Sequence, residues 1–186
     1  MPEGLEKAFD TLPVPAARAC KGDEAIAWRI LGNLGFPPVL RDFLRDIYEH
    51  YTRRFKFARA LGDPATAERG GPQGCSFTMA IMNAATVAWA VIVRDGLQVP
   101  APLANAVCAR VAQLSNATPA QARRMLHLAS EPAGSVRCGG FMDDIHAGSE
   151  SPRQIARVHY LSLFWQWGLN MRFNKTKSKG LGRVTL

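Results

Sequence analysis

The apolar positions between residues 39 and 51 recur with the period of a helix. Apolar residues return every three or four positions from Val39 to Tyr51, and charged residues occupy most of the positions between them. One apolar stripe beside a polar face is typical of an amphipathic helix that packs on a core. We therefore predict a helix from Val39, with Phe43, Ile47 and Tyr48 in the core.

Five other segments carry helix signals. Asp23 precedes the first as a capping residue, and the run from Met79 to Val93 is small and apolar, as in a buried helix. Thr118-Pro119 and the capping-box pattern Ser151-Pro152-Arg153-Gln154 each mark a helix start. The predicted helices cover about 23–34, 76–93, 103–114, 119 onward and 151–167.

Strand signals lie between these helices. Gly4 to Asp10 is predicted as a strand, and Arg53 to Arg59 as a strand that turns at Gly62-Asp63-Pro64. Residues 138–148 predict two strands joined by a tight turn, and residues 170–174 a last short strand. This order indicates a helix-rich α+β domain with helices packed on one face of a small antiparallel sheet.

Composition agrees with one domain. The 186 residues are 47% hydrophobic, enough for one core. The four cysteines have neither zinc-site spacing nor a disulfide signature, which favours a reducing intracellular compartment, nuclear or cytoplasmic. The longest apolar run, Ala80 to Val93, is interrupted by Asn83 and Thr86, so no membrane partner is expected.

The net charge of +8 is concentrated in two places. Near Tyr51, Phe55 and Phe57 there is a basic cluster, formed by Arg53, Arg54, Lys56 and Arg59. Such a cluster would attract a phosphate backbone without reading its sequence, although a solvated surface explains the same charges. Residues 175–186 form a second basic segment, which is expected to be a disordered tail.

Asp143 and Asp144 lie together at the tip of the predicted 138–148 hairpin. Paired carboxylate oxygens are ligands that Mg²⁺ accepts, and a rigid hairpin could hold the ion against a phosphate. An ordinary solvated turn is the alternative. A glycine-rich stretch, residues 69–78, leads directly into the buried helix and would let a ligand approach the backbone closely.

Four segments in order resemble the palm of a reverse transcriptase, most closely the non-LTR retrotransposon and group II intron type. They are G-L-E-K-A-F-D at residues 4–10, G-G-P-Q-G-C-S-F-T at 70–78, F-M-D-D at 141–144 and G-L-N-M-R-F-N-K-T at 168–176. The family patterns are D-x-x-K-A-F-D, G-x-x-Q-G-x-x-x-S, [FY]-x-D-D and G-L-x-x-N-x-x-K-T. The resemblance covers about the whole chain, with a less familiar stretch from residue 95 to 135.

The resemblance implies an RNA-directed DNA polymerase, which adds deoxynucleotides to a DNA primer on an RNA template with Mg²⁺ or Mn²⁺. Asp143 and Asp144 match the metal-binding pair. Lys175 matches the lysine that protonates or neutralises the leaving pyrophosphate.

The same resemblance assigns the nucleotide pocket. Phe9 matches the aromatic gate that excludes a ribose 2′-hydroxyl. Gln73 and Gly74 match the loop that supports the template and the incoming nucleotide.

The departures from the family pattern point to an incomplete enzyme. Gly4 stands where the first motif normally has its metal-binding aspartate, and Thr78-Met79 replaces the usual Ser-Pro. The resemblance also predicts a single palm-like domain over 1–186 without fingers or thumb. We therefore expect an inactive or incomplete reverse transcriptase domain. One alternative is a dead retroelement remnant that at most binds nucleic acid non-specifically; another is an unrelated helical interaction domain.

Overall fold

A computed structural model describes residues 2–4, 26–54, 56–66, 71, 75–141 and 144–169, with the backbone alone at residues 2–4, 66 and 141. The predicted strand 170–174 and the basic tail 175–186 lie outside these residues. So does the part of the first predicted strand that follows Gly4.

Within the described residues, the helices agree with the sequence prediction in number and approximate position. A short 3-10 turn, Ala101–Leu103, precedes the fourth helix. The six helices are α1 (Ile26–Asn33), α2 (Pro38–His50), α3 (Ser76–Asp95), α4 (Ala104–Ser115), α5 (Pro119–Ser130) and α6 (Pro152–Leu169).

The two predicted capping motifs have different outcomes. At the start of α5, the Gln121 N–H donates to Thr118 Oγ1 at 3.2 Å and the Thr118 N–H donates to Gln121 Oε1 at 2.8 Å, which completes a capping box. The capping box predicted at α6 is wrong. The Ser151 N–H donates instead to Ser149 Oγ at 3.2 Å, and Gln154 Oε1 is buried without a hydrogen-bond partner.

Three strands form an antiparallel sheet in the spatial order β1, β7, β6. These strands are β1 (Pro2–Gly4), β6 (Arg137–Phe141) and β7 (Asp144–Gly148). In β7 exposed and buried residues alternate, and Ile145 and Ala147 enter the core. Because side chains alternate across a strand, the sheet has one face in the core and one face open to solvent. The molecule is therefore a helix-rich α+β protein.

Helix α3 is the centre of the core, where it packs against α1, α6 and β6. Two buried indole groups fix α6 against it. Trp89 Nε1 donates to Ser162 Oγ at 2.9 Å, and Trp165 Nε1 donates to the Ala85 carbonyl at 3.0 Å. Both tryptophans satisfy their polar atom while their rings fill the core.

Helix α3 also passes a length and composition test for a membrane-spanning helix, as one of the described elements. Its 20 residues extend beyond the apolar run at 80–93 on which the sequence expectation was based. Eight of them, including Ile81, Met82 and Trp89, are buried inside the protein. A core helix passes the same test, so the finding is weak support for a membrane span.

A fully buried arginine joins the ends of two helices. The Arg157 guanidinium donates to the Val93 carbonyl at 2.7 Å and to the Glu131 carbonyl at 2.6 Å. These carbonyls lie at the C-terminal ends of α3 and α5, where backbone acceptors lack partners within the helix. Burial lowers the pKa of Arg157. Arg157 thus fastens α6 to both helix ends.

The core assignment for α2 is only partly right. Tyr48 is buried, but Phe43 is 57% exposed and Ile47 is 44% exposed. The buried stripe consists of Leu44 and Tyr48, which face α1, where the Tyr48 ring lies 6.0 Å from the Trp28 ring. The apolar arc of α2 is wider than the surface that α1 covers, so its far side remains in solvent.

Residues 52–66 form a hairpin whose turn differs from the predicted one. Its paired segments are β2 (Thr52–Arg53), β3 (Lys56–Phe57), β4 (Ala60–Leu61) and β5 (Ala65–Thr66). The turn lies at Ala58-Arg59, where Ala58 has φ 51°, and the prediction of a turn at Gly62-Asp63-Pro64 is wrong.

The segment Gly62-Asp63-Pro64 instead interrupts the ladder of this hairpin. Arg53 pairs with Ala65, and Lys56 pairs with Leu61, so two residues on one side oppose three on the other. Such a mismatch is a bulge. Because proline has no N–H to donate, it is tolerated where strand pairing is broken.

Candidate functional site

The hairpin predicted over 138–148 is present as β6 and β7, and Asp144 lies at the end of the three-stranded sheet where these two strands join. Phe141 pairs with Asp144 across a two-residue connection, and Gly4 pairs with Asp144 from the other side. Neighbouring strands lie about 5 Å apart. Gly4 therefore lies beside this hairpin at Asp144. The resemblance predicts Gly4 next to Asp143, and this stays a prediction because Asp143 lies outside the described residues.

Asp144 lies on the solvent face of the sheet, together with His146 two residues further along β7. Residues two positions apart in a strand lie on the same face. The His146 ring rests on Gly139, because a Cβ there would lie 3.0 Å from His146 Nε2. A glycine at position 139 therefore leaves the room that this imidazole occupies.

In the part of the chain that the structure describes, this end of the sheet offers few metal ligands. Within those residues, no group of three or more His, Cys, Asp or Glu side chains could hold a metal ion. Asp144 supplies one exposed carboxylate, and position 4 is a glycine. This donor set suits Mg²⁺ or Mn²⁺ only as an ion that keeps several of its waters.

Several predicted site residues lie outside the described part of the chain, so their roles stay predictions. They are the metal-binding Asp143, the leaving-group residue Lys175, and the nucleotide-pocket residues Phe9, Gln73 and Gly74.

A buried hydrogen bond holds the glycine-rich stretch at the end that enters α3. Tyr48 Oη lies 2.7 Å from Thr78 Oγ1, on the first turn of α3. Gly71 packs on the same threonine, because a Cβ at position 71 would lie 2.5 Å from Thr78 Cγ2. Thr78 stands where the reverse transcriptase pattern that the sequence resembles has a serine. Its hydroxyl thus has a hydrogen-bond partner in the core. Burial is the main reason that the pKa of Tyr48 is raised.

Cys75 ends the same loop at the N-terminus of α3. Its sulfur lies 3.4 Å from Tyr48 Oη. Burial by itself would raise the pKa of the Cys75 thiol, but hydrogen bonds from the Tyr48 hydroxyl and from the backbone N–H groups of Thr78 and Phe77 outweigh it and lower that pKa. Helix N-termini favour a thiolate for this reason.

A chain of aromatic rings connects this loop to the basic hairpin. The Tyr48 and Tyr51 rings lie 6.1 Å apart, nearly perpendicular. The Arg53 guanidinium lies 5.5 Å from the centre of the Tyr51 ring, and Arg53 Nε donates to Tyr51 Oη at 2.8 Å. Arg53, predicted to bind nucleic acid, therefore also anchors the hairpin base through a cation–π contact.

The other three residues of the basic cluster are exposed. Arg54 follows β2, Lys56 lies in β3 and Arg59 lies in the turn. Phe57 is 86% exposed between them. Exposed cations around an aromatic ring can contact phosphates and stack on a base. The hairpin is a candidate nucleic-acid interface.

The structure also shows a site residue that sequence reasoning treated only as core. Tyr48 links α2, the glycine-rich loop and the hairpin base. The helical pattern marked its burial but gave no sign of its hydroxyl partners, which are 27 and 30 residues away in the chain.

Comparisons with known proteins identify no relative: no protein-family model, no curated protein and no solved structure matches this chain.

Proposed function

We propose that this chain is a palm-type domain of the reverse transcriptase kind in which glycine replaces one carboxylate of the metal site. In the family that the sequence resembles, a primer 3′-hydroxyl attacks the α-phosphate of a deoxynucleotide on an RNA template. This chain would bind primer and template without joining nucleotides.

The pairing of Gly4 with Asp144 is the observation that supports this proposal. Two-metal sites need carboxylates from separate elements held a few ångströms apart. Strands β1 and β7 provide that spacing, because residues 4 and 144 oppose each other directly. These are the first and third of the four motif segments, and the unrelated helical interaction domain gave no reason to expect them side by side.

Asp143 and Asp144 would hold Mg²⁺ or Mn²⁺ at the end of the sheet beside Gly4. Such an ion activates a hydroxyl nucleophile and neutralises charge on a leaving phosphate. With carboxylates from only one strand, Mg²⁺ keeps most of its water and binds loosely. We therefore expect no measurable nucleotidyl transfer.

The remaining roles follow the family pattern. Phe9, Gln73 and Gly74 would contact the nucleotide and template, and Lys175 would face the pyrophosphate. The buried contact of Thr78 with Tyr48 supports this assignment, since it fixes where the loop that carries Gln73 enters α3.

The basic hairpin would hold the nucleic acid. Arg54, Lys56 and Arg59 are exposed, and Arg53 fixes the hairpin base on Tyr51. Contacts of this kind neutralise phosphates and do not read bases. The same exposed cations favour the second candidate function, a dead retroelement remnant that only binds nucleic acid.

Template-directed incorporation of deoxynucleotides tests the proposal. The purified chain is incubated with a primed RNA template, Mg²⁺ and the four deoxynucleotides, beside an Asp143→Ala variant, and binding of the primed template is measured in parallel. We expect binding at low salt and no extension. Extension that disappears in Asp143→Ala would show that another group completes the metal site. Absence of binding at low salt would contradict the polymerase-like assignment.

A further inference from the structure

Helix α5 presents a second cationic surface that belongs to none of the four motifs. Arg123, Arg124 and His127 are exposed on it. A groove of about 540 Å³ between α5 and α6 is lined by these residues together with Glu131 and Arg153. Three arginines thus surround a single carboxylate.

That carboxylate is already neutralised. Arg153 Nε donates to Glu131 Oε2 at 3.0 Å, and a second Arg153 nitrogen contacts Glu131 Oε1. His127 Nδ1 lies 3.6 Å from the same oxygen. These groups, chiefly Arg153, hold the pKa of Glu131 below its ordinary value. Glu131 therefore does not cancel the charge of Arg123 and Arg124.

No other acidic residue is available nearby in the sequence. The stretch from Gly96 to Met142 contains four arginines, and Glu131 is its one acidic residue. An anion that approaches α5 meets uncompensated positive charge.

The surface is shaped to follow an extended anion. Arg123 also lines a groove of about 610 Å³ on the α4 side, and Arg124 lines one of about 510 Å³ with Gln121 and Tyr160. The cations of α5 lie between Arg123 and His127, a distance of about 6 Å along the helix at about 1.5 Å per residue. That length corresponds to about two phosphate spacings along one strand, at about 3.4 Å each.

We propose that the α5 surface, formed by Arg123, Arg124 and His127 beside the Arg153–Glu131 ion pair, binds the phosphate backbone of a nucleic acid. The guanidinium fork matches phosphate oxygens in geometry as well as in charge. This contact is separate from the basic hairpin and does not depend on the palm proposal.

A membrane surface fits this helix less well. The larger apolar side chains of α5 are buried or half-buried: Met125 and Leu126 are buried with Ala122 and Ala129, and Leu128 is half-buried. Interfacial helices instead place an apolar face in the lipid. Helix α5 has no such face to offer, so its exposed cations are suited to a phosphate backbone in water.

The test measures binding of a fluorescently labelled single-stranded RNA to the full chain at several salt concentrations. The variant Arg123→Gln/Arg124→Gln is compared with Arg29→Gln/Arg110→Gln, which removes the same charge from exposed positions on α1 and α4. We expect the first variant to weaken binding and to reduce the slope of log K against log salt by about 1.4, since each phosphate contact with a single strand contributes about 0.7. The control should lose less than half as much.

Two outcomes would overturn the proposal. One is an equal loss in both variants, which would indicate only a change in overall charge. The other is unchanged RNA binding together with reduced binding to vesicles of phosphatidylserine and phosphatidylcholine, which would assign the surface to a membrane. Thermal melting followed by circular dichroism should be the same for both variants, so that a loss of folding is recognised. Lys56→Gln/Arg59→Gln, measured in parallel, reports the hairpin separately.

Discussion

Gly4 lies directly opposite Asp144 in the antiparallel ladder between β1 and β7. Directly opposed residues in such a ladder project to the same face of the sheet. A side chain introduced at position 4 would therefore stand on the solvent face beside Asp144. Under the proposed function, this is where the carboxylate of the first motif would stand.

The Tyr48–Thr78 hydrogen bond should appear as a coupling energy. Tyr48→Phe leaves the buried Thr78 hydroxyl without this partner, whereas Tyr48→Phe/Thr78→Val removes both polar groups. We expect the double variant to be more stable than the sum of the single changes predicts, by about 1 kcal/mol. Urea denaturation of the four proteins measures this value, and additive single changes would show that the bond contributes nothing.

Cys75 should react with iodoacetamide faster than Cys138. The pKa of Cys75 is lowered, whereas burial raises the pKa of Cys138, and the thiolate is the reactive form. The difference should be largest below the ordinary cysteine pKa and shrink as the pH rises through it. Time-resolved alkylation with peptide mass spectrometry measures both rates.

The Tyr48 hydroxyl should account for part of the Cys75 reactivity. Tyr48→Phe removes a donor to the thiolate, so it should slow alkylation of Cys75, while Tyr160→Phe on α6 serves as the matched control. Equal rates in Tyr48→Phe and the original protein would contradict the assigned contact.

Arg157 should be important for stability although it is far from the candidate site. Arg157→Met leaves the Val93 and Glu131 carbonyls without their donor, and we expect a loss of about 2–4 kcal/mol in the free energy of unfolding. Arg153→Met, on the exposed side of the same helix, should cost clearly less. Chemical denaturation compares them, and similar losses in both would show that the buried bonds are not decisive.

The basic hairpin should bind nucleic acid through charge. Lys56→Gln/Arg59→Gln should weaken binding of the single-stranded RNA and reduce the salt slope by about 1.4. The loss should be the same for oligonucleotides of different sequence, because phosphate contacts carry no base information. A marked sequence preference, or no salt dependence, would contradict this interpretation of the hairpin.

Some of these features could be predicted from the sequence because they depend on neighbouring residues. Thr118, Pro119 and Gln121 specify the start of α5 locally, and the structure has that capping box. The motif segments, taken in order, predicted the Gly4 strand beside the Asp143-Asp144 hairpin, which local patterns could not do, and Gly4 is found opposite Asp144.

Other features depend on contacts that a local pattern does not contain. The spacing in α2 shows that Phe43 and Ile47 share an apolar arc, but only the packing of α1 decides which part of it is covered. Residues 62–64 are of types that favour a turn. The turn nevertheless lies at Ala58-Arg59, because Phe57 pairs with Ala60. The cationic groove on α5 needs Arg153, which is contributed by α6.

Mg²⁺ binding by Gly4→Asp is the sharpest test of whether the end of the sheet at Gly4 and Asp144 is a metal site. The matched control is Gly148→Asp, which adds the same charge to the far end of β7, where a Cβ meets no atom within 4 Å. Titration calorimetry compares both variants with the original chain and with Gly4→Asp/Asp144→Asn.

We expect Gly4→Asp to bind Mg²⁺ more tightly than the original chain and than Gly148→Asp. Asp144→Asn should remove the gain, because carboxylates on both strands are needed. Equal Mg²⁺ affinity in Gly4→Asp and Gly148→Asp would contradict the assignment of this end of the sheet as a metal site.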